Sequence, residues 1–232
     1  MSATSDYKVI LASDAHLLRE ALRIRTEVFH KEQGFSMDCE IDSYDPISAH
    51  FVLVPSSYSP STAESEVKAL GTLRWVPYPP PATTPASSET VSSLLPLGRP
   101  PASEGSIAAT FASEKGAGAK LGRLALDKSL RGKKLGAFLV KESERWVTEA
   151  IKQRLAKANE GQATATAGDG HGLGDDQQGA TAPKRLDVQF RLHSQMPVID
   201  FYKGLGYHTE GDEFDEDGAP HMLCVKTVTV EA

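Results

Sequence analysis

Leu121-Gly122-Arg123-Leu124-Ala125-Leu126 leads through Asp127-Lys128-Ser129-Leu130 into Arg131-Gly132-Lys133-Lys134-Leu135-Gly136-Ala137. The first part reads as a strand, Lys120 to Asp127, and the apolar positions that follow the turn, Leu135, Phe138, Leu139, Trp146, Ala150 and Ile151, recur at helical spacing. A strand that turns through glycines into a helix brings free backbone N–H groups and the positive end of the helix dipole to one point. Phosphate oxygens are attracted there. Gly132 and Gly136 remove side chains that would block a close approach, and Lys128, Arg131, Lys133 and Lys134 add local positive charge to an acidic chain. The segment therefore fits a pyrophosphate cradle; glycines and lysines in a solvated turn would read the same way without context.

On either side of this segment, strand and helix signals alternate. Tyr7 to Leu11 reads as a strand, followed by a helix capped by Ser13 or Asp14 with Leu18, Ala21, Leu22, Val28 and Phe29 on its apolar side. His50 to Pro55 and Val67 to Val76 form a strand pair. After the long helix, Leu186 to Leu192 returns as a strand. Pro197 opens a short helix through Phe201 and Tyr202 that Gly204 and Gly206 end. A hairpin closes the chain, His208 to Phe214 and His221 to Val230, with Asp217-Gly218 at its turn. The order is β-α-β-β-β-α-β-α-β-β.

Two stretches interrupt this pattern. Residues 77 to 117 are rich in Pro, Ala, Ser and Thr, and residues 157 to 184 are rich in Gly with almost no apolar positions. Both read as surface insertions, since neither offers enough apolar surface to offset its ordering entropy. Without them about 160 residues remain, the size of one ordinary domain, so a single domain over 1–232 is expected.

Composition excludes several classes. With 40% hydrophobic and 24% charged residues the chain is globular, and a net charge of −6 argues against a nucleic-acid backbone as partner. No apolar run is long enough for a membrane span, so no membrane partner is expected. Cys39 and Cys224 are far apart and lack metal-ligand spacing; no metal is expected, and a cytosolic or nucleocytoplasmic location fits.

The strand with Arg131-x-x-Lys134-x-Gly136-Ala137 and its helix, followed by Gln195-x-x-Val198-x-x-Phe201-Tyr202-x-x-x-Gly206-Tyr207, resembles the paired signature of the GNAT superfamily of acetyl-coenzyme A-dependent N-acetyltransferases. Val28 to Phe35, Glu40-Ile41-Asp42, His193-Ser194-Gln195 and Asp217 to Met222 are similar to segments of its ElaA-like branch. The resemblance implies an α/β (α+β) fold: a central, mostly antiparallel mixed sheet, splayed between the family's fourth and fifth strands, with flanking helices. Two positions depart from the usual pattern. Lys134 stands where the family usually has Gly, and the cradle is expected to survive if its φ is negative. Gln195 stands where the family usually has Asn.

By this resemblance acetyl-coenzyme A is the co-substrate and an amine the acceptor, with a homodimer compatible with the family. Leu124, Ala125 and Leu126 would pair with the pantetheine arm. Arg131, Gly132, Lys133, Lys134, Leu135, Gly136, Ala137 and Gln195 complete the expected binding set. A strand N–H facing the thioester carbonyl would stabilise the charge that develops during attack. Tyr202 stands at the position of the acid that protonates the leaving thiolate, a role suited to a phenol that keeps its proton at neutral pH. For the base, Lys120, Gly122 and Arg123 are unsuitable, so the proton leaves through a group elsewhere or through water, with His193, His221 and Glu32 as candidates at strand ends and adjoining loops. Neither cysteine lies in a motif for a covalent acyl-enzyme, so direct attack in a ternary complex is expected. Acidic groups at Asp38, Glu40, Asp42 and Asp45 and at Asp212, Glu213, Asp215, Glu216 and Asp217 would attract a cationic acceptor if they border the cleft. The alternative is a non-catalytic acyl-coenzyme A-binding module that uses its insertions for partners.

Overall fold

The computed structural model describes residues 3–37, 40–59, 68–80, 111–113, 116–165 and 185–231. Most of both expected insertions, residues 81–110 and 166–184, together with Asp38, Cys39 and Val67, lies outside the described residues.

Strands β1 (Tyr7–Leu11), β2 (Ala49–Pro55), β3 (Gly71–Pro77), β5 (Gly116–Leu126), β6 (Arg185–Gln195), β8 (Ala219–Glu231) and β7 (His208–Glu216) lie side by side in that order, and β4 (Ala112–Ser113) pairs onto the start of β5. β5 and β6 run parallel; the other pairs are antiparallel. Helix α1 (Ala15–Arg25) is capped by Asp14, whose carboxylate accepts the Leu17 N–H at 2.8 Å, and it continues into a π-helical turn, Thr26–Glu32. Its Leu17, Ala21 and Ile24 pack on Val52, Val54 and Ala125. Helix α2 (Leu135–Ala165) covers the opposite face, with Leu139, Val147 and Ile151 against Phe51, Trp75, Leu121 and Phe190. Residues alternate between faces along a strand, so helices on both sides leave β2 buried from Ala49 to Val54 and β3 buried throughout. Trp75 accommodates its polar atom in this core by donating from Nε1 to Ser143 Oγ at 2.9 Å.

The described flanks of the expected insertions are ordered parts of the fold. β5 begins at Gly116 rather than near Lys120, and Phe111 is 1% exposed within the main core. Gly116-Ala117-Gly118-Ala119 carries little hydrophobic signal, which is why it reads as loop. Its small residues are needed, because a Cβ on Gly118 would sit 2.6 Å from the Gln189 carbonyl oxygen. Likewise α2 extends through Ala165, past the expected boundary at Lys157.

The sheet opens at one end. β5 and β6 pair from Gly118↔Gln189 to Leu121↔Leu192 and no further, although β5 continues along β3 to Leu126 and β6 along β8 to Gln195. Between Thr72↔Ala125 and Arg74↔Gly122, β5 spends three residue steps against two on β3. The extra residue makes a bulge, and Arg123 takes φ +55° within it. A bulge bends its strand and increases local twist, which directs the end of β5 away from β6.

Candidate active site

The divergence of β5 and β6 opens a cleft of about 1010 Å³. Leu124, Ala125, Leu126, Arg131, Gly132, Lys134, Leu135, Gly136 and Ala137 line it from the side of β5 and α2. His193, Gln195, Tyr202, Glu216 and His221 line it from the other half of the sheet and from helix α3 (Ile199–Lys203). Lys133 and Glu32 are not among its lining residues.

At the turn into α2, Asp127 accepts the Ser129 N–H at 2.9 Å and the Ser129 hydroxyl at 2.6 Å, fixing the chain before the glycines. The bond from Phe138 N–H to the Lys134 carbonyl at 3.1 Å marks the helix start, and donors in the first turn of a helix have no intrahelical acceptor. Gly132 has φ +76°, with open space where a Cβ would project. Lys134 has φ +63°, so the condition of a negative φ on which the cradle was expected to survive is not met, and the turn keeps its shape with the lysine in the left-handed region instead. The turn requires a left-handed residue, the conformation that glycine adopts without strain, and Lys134 adopts it at a cost. Lys128, Lys133 and Lys134 are exposed around the turn. Arg131 instead folds back: Nε and Nη2 donate to the Leu126 carbonyl at 3.1 and 3.0 Å, and Nη1 pairs with Glu32 at 2.7 Å. Glu32, a candidate base, is thus the ionic partner of Arg131 at the cradle.

Tyr202 is 8% exposed, with its ring edge-on to Phe201 and Tyr207. Burial pushes its phenol well above the ordinary value, so it keeps its proton. His193 lies on β6 with Nδ1 2.9 Å from Glu216 Oε2 and 3.2 Å from Lys120 Nζ. Its ring is edge-on to Phe214, and His221 stacks on that same phenylalanine. His221 Nδ1 is 2.9 Å from the Ala219 carbonyl, which can only accept, so this nitrogen carries hydrogen and Nε2 is the basic atom of the neutral ring. Gln195 faces His221 across the β6–β8 ladder. The hydrogen bond from His193 holds the Glu216 carboxyl below its usual range, and burial pushes the Lys120 ammonium down.

The expected acidic clusters divide. Glu216 and Asp217 border the cleft, but Asp45 is buried in an ion-pair network. Its Oδ1 accepts from Arg25 Nη1 at 2.8 Å and from Arg74 Nη1 at 2.7 Å, and Arg74 also grips Asp42 with two bonds of 2.8 and 2.7 Å. His50 Nε2 donates to the Asp45 carbonyl at 3.0 Å, and Glu40 approaches Arg25 at 3.5 Å. Burial would raise Asp45, yet Arg74 and Arg25 hold its carboxyl below the usual range. This first acidic cluster therefore braces the loop beside the cleft, with Glu40 and Asp42 also contributing to the wall. Lys120 and Glu216 are the functional candidates that the sequence did not single out. In sequence Lys120 reads as unsuitable for a base and Glu216 as one carboxylate in a run; pairing with His193 is a tertiary fact.

Among the described residues, no group of three or more His, Cys, Asp or Glu side chains is arranged to hold a metal ion, and no helix is long and apolar enough to cross a membrane. The chain has the mixed, splayed sheet and flanking helices of the GNAT fold. The fold is shared with a solved protein of Lactobacillus plantarum described as a "putative N-acetyltransferase", at TM-score 0.55 and 20% identity, covering 96% of this chain and 98% of that one. It is shared too with Escherichia coli ElaA, at TM-score 0.50 and 14% identity, covering 95% and 98%. A Pseudomonas aeruginosa protein described as an acyl-CoA N-acyltransferase superposes at TM-score 0.50 with 16% identity, covering 95% and 99%. In sequence, the Bacillus subtilis protein YyaT, described as uncharacterized, is 42% identical over 42 residues, which are 18% of this chain and 28% of that protein. A second Bacillus subtilis protein, described as a "putative acetyltransferase", is 49% identical over 37 residues, 16% of this chain and 25% of its own. The matches thus span about a quarter of those relatives. No family model matches the chain.

Proposed function

We propose that this chain is an N-acyltransferase that moves the acetyl group of acetyl-coenzyme A to a primary amine by direct attack in a ternary complex. The observation that carries the reading is the end of β5–β6 pairing at Leu121↔Leu192, which leaves the edge of Gly122–Leu126 unpaired toward β6 inside a cleft that also reaches the glycine turn of α2. An unpaired strand edge offers N–H and C=O groups to an extended amide-bearing arm, and the turn offers N–H donors, open space at Gly132 and three exposed lysines to a pyrophosphate. The donor set fits the polyanionic and amide parts of coenzyme A.

Within that cleft, N–H groups of Gly122–Leu126 are the donors for a carbonyl oxygen that gains negative charge. Nε2 of His193 or of His221 takes a proton from the amine, whose nitrogen forms the new bond to the acyl carbon. Tyr202 holds a phenol proton for the sulfur that departs when the carbon–sulfur bond breaks. Glu216 and Asp217 at the cleft suit an acceptor that arrives as an ammonium and gives its extra proton to solvent before the neutral amine attacks.

The test combines binding and turnover. Acetyl-coenzyme A at millimolar concentration should raise the melting temperature, since a ligand bound only by the folded state stabilises it. Incubation with an amine and peptide panel should release free thiol. Absence of both effects would overturn the reading, and binding without thiol release would leave an acyl-coenzyme A-binding module.

A further inference from the structure

The Nδ1 atom of His193 has two neighbours that make opposite demands. Glu216 Oε2, at 2.9 Å, requires a hydrogen on Nδ1, because a carboxylate only accepts. Lys120 Nζ, at 3.2 Å, would donate to a bare Nδ1 lone pair if it is charged. Both cannot be satisfied at once. The shorter contact belongs to the carboxylate, whose ionised form the imidazole stabilises, while burial weakens the claim of the ammonium. The hydrogen therefore resides on Nδ1, and Nε2 carries the ring's remaining lone pair.

Resting on the acyl-transfer reading, we propose that Glu216 and Lys120 are opposed positioning residues for His193. Glu216 fixes the tautomer that makes Nε2 the proton acceptor and favours positive charge on the ring; Lys120 opposes that charge. The amine's N–H bond breaks as an N–H bond forms at Nε2, and Glu216 and Lys120 keep their own protonation throughout. The three groups come from different strands, Lys120 from β5, His193 from β6 and Glu216 from β7, so the set assembles only when both halves of the sheet are joined. The other charged or titratable groups nearby are His221 on β8, beyond Phe214, and Arg74, Asp42 and Arg123 around Lys120.

The experiment has an arm that needs no turnover. Long-range proton–nitrogen correlation spectra of the full chain should show His193 with hydrogen on Nδ1 at neutral pH. The pH at which its ring signals move should fall in Glu216→Gln, where an attractive negative charge is lost, and rise in Lys120→Met, where a repulsive positive charge is lost. Lys120→Arg should keep the behaviour of the parent chain. In thiol-release kinetics the acidic limb of kcat/KM should shift in the same two directions, with kcat lower by roughly 10-fold or more in Glu216→Gln and the KM for acetyl-coenzyme A unchanged. Hydrogen on Nε2 in the parent chain, or shifts of one sign or none in the two variants, would overturn the proposal. Opposite shifts in a parent chain that releases no thiol would instead overturn the acyl-transfer reading beneath it.

Discussion

Two side chains, Tyr202 and Lys134, offer the clearest tests. Tyr202→Phe keeps the ring against Phe201 and Tyr207 and removes only the hydroxyl. Affinity for acetyl-coenzyme A should stay constant while turnover falls by roughly 10²-fold, as calorimetry and thiol release would register. Unchanged turnover would remove the acid assignment. Lys134 holds a left-handed φ of +63° that costs a side-chain-bearing residue about 1–2 kcal/mol, partly offset in a glycine variant by the larger entropy that glycine loses on folding. Lys134→Gly should therefore be more stable by up to about 1 kcal/mol in denaturant unfolding, and a loss of stability would mean that the lysine makes a compensating contact. The place of Tyr202 at the cleft is legible in the sequence because a spaced motif surrounds it. The sign of φ at 134 is not, since local sequence favours a negative φ for lysine and only the geometry of the helix entry overrides it.

Among elements, the buried network joining α1, the loop before β2, β2 and β3 controls how the fold responds to acid. Burial pushes the His50 imidazole down to about 4 from an ordinary 6.5. The unfolded chain therefore takes up this proton first, so the His50 contribution is intact above pH 6.5 and is lost as pH falls through 4. Asp45, held below its ordinary 3.8, acts with the same sign at lower pH. Glu40, raised by burial, has the opposite sign: its contribution is lost as pH rises through its folded value. Unfolding midpoints should drop between pH 6.5 and 4, and His50→Gln, which can still donate to the Asp45 carbonyl, should flatten that slope. Asp45→Asn should cost about 3–5 kcal/mol at neutral pH, because two buried arginines lose their shared counter-charge. A midpoint independent of pH across this range would contradict the assignment. The strands and helices of this region are readable from periodicity, but Glu40, Asp42 and Asp45 read in sequence only as negative charge available to a cationic acceptor. Charge runs carry no mark of which carboxylates will meet an arginine from another strand.

For the whole molecule, the order of elements can be read from periodicity and turn signals, and the opening of the sheet from the resemblance that the two motifs carry. The extent of the sheet cannot, because Phe111 and the Gly116–Ala119 segment lie where composition suggests loop. The seam between β5 and β6 has a consequence for assembly. Among the described residues, four pairs, Gly118↔Gln189 to Leu121↔Leu192, join the strands that precede α2 to those that follow it, while the other ladders close within their own half. The molecule is in this sense two complementary pieces sharing one short hem. A backbone cut anywhere within 166–184 would leave each piece with its own antiparallel ladders, so co-expressed fragments ending at Ala165 and starting at Arg185 should recombine and co-purify. Substituting Gly118 by Val should prevent that recombination, since its Cβ alone meets the Gln189 carbonyl of the other piece. Reunion of the fragments despite that substitution would show that helix packing rather than the hem holds the halves together.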